Sequence, residues 1–329
     1  MKADGARASL QCDSRSCKES DSDMTVLTFD LEKTLPTPVL TTGICYYKRQ
    51  LWTYNFGVHN MNTDTGFMYV WDESTASRGA EEVASALFLH IKKHVKTTRL
   101  VCFSDCCGGQ NRNIKLALMW NYIVQRPDIP VTEIDHKFLI PGHTYLPNDQ
   151  DFGLVEKNKR AFSDVYVPAD WIKVIQTAKK QNPKFVVTQM TRDDFFSTKV
   201  LEQNSVNRKK DRDGNGVSWL KIHWMRFSAD HPNVMFYKYT TRPTEEALFM
   251  TVDLSKRTRG RDRNVAALEL ELLYPDGKAI AKAKLLDLKS LLPFIPPVNH
   301  DFYKHLKCDA AEVDEAIWSD SASEAESDD

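Results

Sequence analysis

A chain of 329 residues with 42% hydrophobic and 10% aromatic content can build a sizeable core, as two ordinary domains or one large one with appendages. No apolar run approaches the ~18 residues of a membrane span. The polar leader carries no secretory-type apolar segment, and seven cysteines with two adjacent (Cys106, Cys107) form no disulfide framework, so a reducing, intracellular compartment is expected. The formal net charge of −1 hides an asymmetry: residues 308–329 hold nine acids and no base, leaving 44 basic against 36 acidic residues, +8, in residues 1–307.

In chain order, residues 1–23 are polar and are read as a disordered leader; Cys12 and Cys17 have no matching pair nearby to complete a metal site. MTVLTFD (24–30) is a short β-branched run of strand type, and LEKTLPTPVLTTG, with two prolines, is a loop. ICYYKRQLWTYNFGVHN (44–60) alternates Trp52, Tyr54, Phe56 and Val58 onto one face, with GFMYVWDE (66–73) as its hairpin partner. The period then changes. Val83, Leu87, Ile91 and Val95 recur every four residues and predict a helix over 79–95. RLVCFSD (99–105) is a strand, 111–125 a helix, EIDHKFLIPG (133–142) contains a fifth strand, and a third helix starts near Asp149. Three strands followed by helix, strand, helix, strand, helix describe an α/β fold with a mixed sheet flanked by helices, the order of the ribonuclease H-like fold of transposases and integrases.

That order gives LVCFSDCCGGQN (100–111) its meaning. Enzymes of this fold place carboxylates on the first strand, at the end of the fourth, and on or before the helix after the fifth. This chain offers Asp30, Asp105, and within PGHTYLPNDQDFGLVEK the acids Asp149, Asp151 and Glu156. Each alone reads as a turn or cap; together they are candidates to hold two Mg²⁺ or Mn²⁺ ions ~4 Å apart for phosphodiester chemistry, hard oxygen donors suiting those ions over zinc. Asp149 is preferred as third ligand. Glu156, seven residues on and on the same helical face, is support, and Asp151 is the reserve. The Gly-Gly pair is expected to let the chain turn tightly after Asp105. Gln110 and Asn111 are candidates to orient Asp105 or touch phosphate, and His143 is a candidate general base or phosphate contact, with a structural histidine as its plainer reading. Cys106 and Cys107 read as packing or idle thiols.

Beyond residue 165, PADWIKVIQTAKK and FFSTKVLEQ are helix candidates, while SWLKIHWMRF and NVMFYKYTT alternate as strands. ALELELLYP and AIAKAKLLDL flank a Pro-Asp-Gly turn, the second run reading as strand or helix, and LLPFIPPVNHDFY as an ordered strap. The expected organisation is a leader (1–23), a ribonuclease H-like core (24–165), an α+β region packed on it (166–307, β-rich), and a disordered acidic tail (308–329). Two basic loops supply candidate DNA contacts: Arg208, Lys209 and Lys210 in the first, Arg257, Arg259, Arg261 and Arg263 in the second.

FDLEKTLPTP, YYKRQLWTYNFGVHN, SDCCGGQNRN, PGHTYLPNDQDFGLVEK and LLDLKSLLPFIPPVNHDFYKHL resemble an uncharacterised, transposon-derived animal family with a ribonuclease H-like (DDE/D transposase-type) domain. The resemblance runs from about Thr28 to Leu306 and implies a transposase-like core with Asp30, Asp105 and Asp149 at the acidic positions. It departs at Cys106, where the family more often has Asn. Such proteins also carry substantial sequence before the first strand, so an upstream DNA-recognition region is expected to be missing here. Two functions follow: a metal-dependent phosphoryl-transfer enzyme acting on DNA, or a catalytically silent, domesticated or truncated binding module of the same fold. The expected setting is nuclear rather than cytoplasmic, with DNA as partner, no membrane, and a homo-oligomer left open. A small-molecule substrate is disfavoured, since SDCCGGQN matches neither GxxxxGK[ST] nor GxGxxG.

Overall fold

The computed structural model describes residues 2–139, 146–206, 209–241, 248–256 and 264–309. Lys2–Ser16 form a helix, α1, where the sequence reads as a disordered leader. Ala6 and Leu10, one helical turn apart, pack with Cys17 against Met24, Val26, Val101, Phe103, Leu139 and Leu146. On the same helix Ser9 Oγ and Asp13 Oδ2 accept from Lys137 Nζ at 3.0 and 2.5 Å. So small an apolar stripe leaves little periodic signal, because part of what anchors the helix is a buried lysine more than a hundred residues away.

The first half otherwise follows the expected order: β1 (Met24–Leu31), β2 (Leu35–Thr37), β3 (Leu51–Asn60), β4 (Thr65–Asp72), α2 (Ala80–His94), β5 (Arg99–Ser104), α3 (Ile114–Val124), β6 (Glu133–Phe138) and α4 (Pro147–Lys159). Two local readings change. The proline-containing stretch after β1 includes the short strand β2, and Gly43–Tyr47 form a 3-10 turn instead of the start of a long strand. Then come α5 (Pro168–Gln176), β7 (Val186–Gln189), α6 (Lys199–Asn204), β8 (Trp224–Ser228), β9 (Val234–Lys238), β10 (Met250–Asp253), α7 (Lys282–Lys289) and α8 (His300–Lys304). AIAKAKLLDL thus takes its helical option. No strand forms over ALELELLYP; only Leu272 makes a bridge, to Phe196. Among the described residues no helix is long and apolar enough to cross a membrane.

All ten strands belong to one mixed sheet in the order β10-β9-β8-β6-β5-β1-β3-β4-β7, with β2 paired to β3. β1, β3 and β4 are antiparallel neighbours, while β5 and β6 run parallel to β1, each reached through a helical crossover. The strands after residue 165 widen this same sheet. β8, β9 and β10 add antiparallel to the β6 edge and β7 adds parallel to β4, while Leu285, Leu288 and Tyr303 pack with Cys45 and Leu51.

One face of the sheet buries Leu27, Phe29, Phe56, Val58 and Tyr69 beneath α2 and α3. The opposite face buries Met68 and Val70 beneath α4 and α5, and Val26, Val101 and Phe103 beneath α1. β3 is covered on both sides: Tyr54, Phe56 and Val58 point one way, and Thr53, Asn55 and His59, all equally buried, the other. Under α4 and α5 each of these polar side chains finds at least one partner. Thr53 meets Thr37 Oγ1 at 2.9 Å, Asn55 donates to Glu32 at 2.8 Å, and His59 Nδ1 lies 2.7 Å from Asp151 Oδ2.

Candidate metal centre

β1 and β5 run parallel with Thr28 opposite Phe103. Carrying that register two residues on sets Asp30 beside Asp105 at the same end of neighbouring strands, ~5 Å apart in the hydrogen-bonding direction. Both alternate onto the face that receives α4. Asp30 Oδ1 accepts from the Leu31 amide at 2.8 Å. Asp105 Oδ1 accepts from Cys107 N at 3.1 Å and from Asn111 Nδ2 at 2.5 Å.

The turn after Asp105 is held differently from what the glycines suggest. The Cys107 carbonyl accepts the amides of Gln110, Asn111 and Arg112 at 3.3, 2.7 and 3.0 Å. Asn111 is buried within it and aims its side chain back at Asp105. Neither Gly108 nor Gly109 has a left-handed φ, and a Cβ on either would meet nothing within 4 Å. Sterics do not require them. α3 begins at Ile114, three residues later than expected, capped by the Asn113 side chain on Leu116 N at 3.0 Å.

Asp149 arrives from the other side. α4 starts at Pro147, two residues earlier than expected, so Asp149 sits in its first turn with Oδ2 accepting from Leu146 N at 3.0 Å. The preceding Asn148, fully buried, accepts from Thr28 Oγ1 at 2.6 Å and donates to the Gly57 carbonyl at 3.0 Å, pinning the start of α4 across β1 and β3. Gly57 makes that approach possible: a Cβ there would lie 2.8 Å from the Phe152 ring and 3.2 Å from Asn148 Nδ2. Since Gly57 pairs with Asp30, the bare backbone beside Asp30 is where α4 comes down.

The three carboxylates share one field. The Asp30 carboxyl is pushed up from 3.8 to about 7, first by burial and then by Asp105, with a smaller push from Asp149 and partial relief from the Leu31 amide. Asp30, Asp105 and Asp149 each use one oxygen in a local hydrogen bond, and the second has no hydrogen-bond partner among the described residues. Those second oxygens are hard donors of the kind Mg²⁺ and Mn²⁺ take, and the raised proton affinity of Asp30 is what a site short of positive charge has. The cluster is open: among the described residues no three His, Cys, Asp or Glu side chains already stand close enough to hold a metal ion.

The remaining expected residues scatter. Glu156 is exposed farther along α4, and its charge bears on Glu32. Asp151 is buried against His59, whose Nε2 also meets Asp64 at 3.2 Å, so it serves packing under α4. Cys106 donates its thiol to the Leu139 carbonyl at 3.0 Å, and burial raises its pKa, as expected of an idle thiol. Lys209 and Lys210 are exposed on a turn tied to the β10 edge by Arg212 N to the Thr251 carbonyl at 2.9 Å, with β9, β8 and β6 between them and Asp105. His143, Arg208, Arg257, Arg259, Arg261, Arg263 and the acidic tail from residue 310 lie outside the described residues.

Sequence reasoning missed Glu32. It follows Asp30 by two residues, hence on the same face, and the D-L-E alternation was its one signal. Burial pushes its carboxyl from 4.5 to about 8, with Asn55 opposing and Glu156 adding to the rise. Its Oε1 and the Asn55 Oδ1 are buried without a hydrogen-bond partner among the described residues. Comparison with protein-family models, curated proteins and solved structures returns no match for this chain.

Proposed function

We propose that this chain is a transposase-derived phosphoryl-transfer protein of ribonuclease H-like fold that acts on DNA with Mg²⁺ or Mn²⁺. The observation that carries the reading is the placing of Asp30 and Asp105 at the same end of neighbouring parallel strands with Asp149 in the first turn of α4, both charges bearing on a partly buried Asp30. The three-stranded antiparallel start and the two parallel strands reached through helices agree with it. Asp30, Asp105 and Asp149 would hold the ions. Ions held there would supply activation of a water or hydroxyl and stabilisation of the leaving oxygen of a phosphodiester.

The chain's own part is orientation. Asn111 and the Cys107 amide hold Oδ1 of Asp105 so that its other oxygen faces away from the turn. Leu31 N does the same for Asp30, and Leu146 N for Asp149. Gly57 and Asn148 fix how near α4 brings the third acid. Without a cation, Asp30 keeps its proton up to about pH 7.

The purified protein should nick or join DNA when Mg²⁺ or Mn²⁺ is added, and Asp105→Asn should abolish this while DNA binding persists. The amide keeps the shape and removes the charge that retains the cations. Cleavage undiminished in the variant would place the activity elsewhere. The open spacing of the acids favours one second reading, a silent binding module of the same fold. DNA binding without cleavage by the wild type on varied substrates would select it.

A further inference from the structure

One face of the sheet carries a row that no reading of single segments reveals. The registers set Phe103 opposite Lys137, Lys137 opposite Trp224, and Trp224 opposite Lys238. The β9–β10 register carried one residue back sets Phe249 opposite Lys238. Aromatic and cationic side chains therefore alternate across five neighbouring strands, β5 to β10. The Lys137 ammonium lies 5.5 Å from the Phe103 ring centroid and 4.2 Å from Trp224; the Lys238 ammonium lies 5.4 Å from Trp224 and 4.5 Å from Phe249.

The two lysines differ. Lys137 is buried beneath α1 and neutralised by Asp13. Lys238 lies beyond α1 and has no ion pair among the described residues. Neighbouring Arg226, its guanidinium 4.9 Å from the Phe249 ring, is committed to Asp135 through two bonds of 2.7 and 2.9 Å. On this side Arg226, Phe236, Lys238, Phe249 and Thr251 remain partly exposed, whereas Met225, Phe227, Met235, Tyr237 and Val252 on the other join the main core.

We infer that this open face of β8, β9 and β10 binds a single strand of nucleic acid, with bases stacked on Phe236 and Phe249 and a phosphate held by Lys238. An ammonium set between ring faces, with no ion pair among the described residues, asks for a ligand that brings an anion and flat π surfaces together in one repeat. A nucleotide strand has both. An acidic peptide such as residues 308–329 brings nine acids but a single aromatic, Trp318, with no repeating π surface, and a duplex keeps its base faces stacked inside. Asp105 follows Phe103 by two residues on the same face, so the row and the acidic cluster are successive rows of one sheet face, covered by α1 at Phe103 and Lys137, and β10 lies ~19 Å from β5 across four strand spacings. The choice of nucleic acid over another polyanion rests on the function proposed above and sharpens its substrate to unpaired strands.

The test is fluorescence anisotropy of labelled single-stranded DNA and RNA oligonucleotides in EDTA, where no cleavage intervenes. Lys238→Met keeps the stem on the rings and Phe249→Leu removes one stacking surface. We expect the double variant to bind about ten-fold or more weakly, with a shallower salt dependence, while duplex binding changes less. Wild-type affinity in the double variant overturns the inference. So does preferential binding of a duplex, or of a peptide of residues 308–329. Should Phe249→Leu disturb folding, Lys238→Met alone with ultraviolet crosslinking decides: crosslinks at Trp224, Phe236 or Phe249 support the site, and crosslinks confined elsewhere remove it. Failure of the metal reading is separable, since it shows as lost cleavage with strand binding intact.

Discussion

Replacing Asp30 by Asn tests the acidic cluster without any substrate. In the folded protein the Asp30 carboxyl holds its proton to about pH 7, against 3.8 for an ordinary aspartate. Between those values the folded state binds more protons than the unfolded chain, so stability falls as pH rises through that window. The full interval sets a ceiling of ~4 kcal/mol at pH 8 and above. Asp30 keeps partial contact with solvent, which screens the repulsion, so we expect ~1–2 kcal/mol. Asn retains an oxygen for the Leu31 amide and drops the charge that Asp105 and Asp149 oppose. The variant should therefore melt ~1.5–3 °C above wild type at pH 8.5 and nearly with it at pH 4.5. The assay is thermal unfolding followed by circular dichroism from pH 4.5 to 9 in EDTA. Mg²⁺ added at pH 8.5 should stabilise the wild type and do less for the variant, because a ligand that binds only the folded state raises stability by mass action. An Asn variant no more stable than wild type at pH 8.5, or one that keeps the wild-type slope, would refute the shared field.

Three further outcomes follow from contacts elsewhere. Gly57→Ala should cost ~1–3 kcal/mol in denaturant unfolding and weaken Mg²⁺ binding, because its Cβ meets the Phe152 ring at 2.8 Å; Phe152→Leu in the same chain should restore part of both. Asn111→Ala should lower stability by ~1 kcal/mol and reduce any metal-dependent cleavage more than it reduces DNA binding, since it frees Asp105 without changing charge; equal loss of both would assign Asn111 to DNA contact. Deleting residues 308–329, which hold nine acids and no base, should tighten DNA binding most at low salt by removing a competing polyanion; unchanged affinity at every salt concentration would exclude that competition.

Much of the central sheet was legible because its signals are local. The two-residue alternation around Phe56 and the four-residue spacing from Val83 to Val95 are properties of contiguous chain, and they mark β3, β4 and α2 closely. Asp30 and Asp105 were readable for the same reason: each follows an apolar strand, and parallel strands joined by a crossover place their ends together. The leader was misread because α1 is anchored by Lys137, a partner its own sequence does not contain.

The sequence by itself determined the strands and helices from β3 through α3 and that acids stand at three strand or helix ends, since those patterns lie within a dozen residues. Only the tertiary structure decided which acid of α4 turns toward Asp30. That choice depends on the gap left by Gly57, on Asn148 reaching Thr28, and on His59 claiming Asp151, contacts between residues roughly ninety or more positions apart. It also decided that β8, β9 and β10 extend the central sheet, and so assembled Phe103, Lys137, Trp224, Lys238 and Phe249 into one row. Strand periodicity is written along the chain, but register between distant strands is fixed only when their side chains pack.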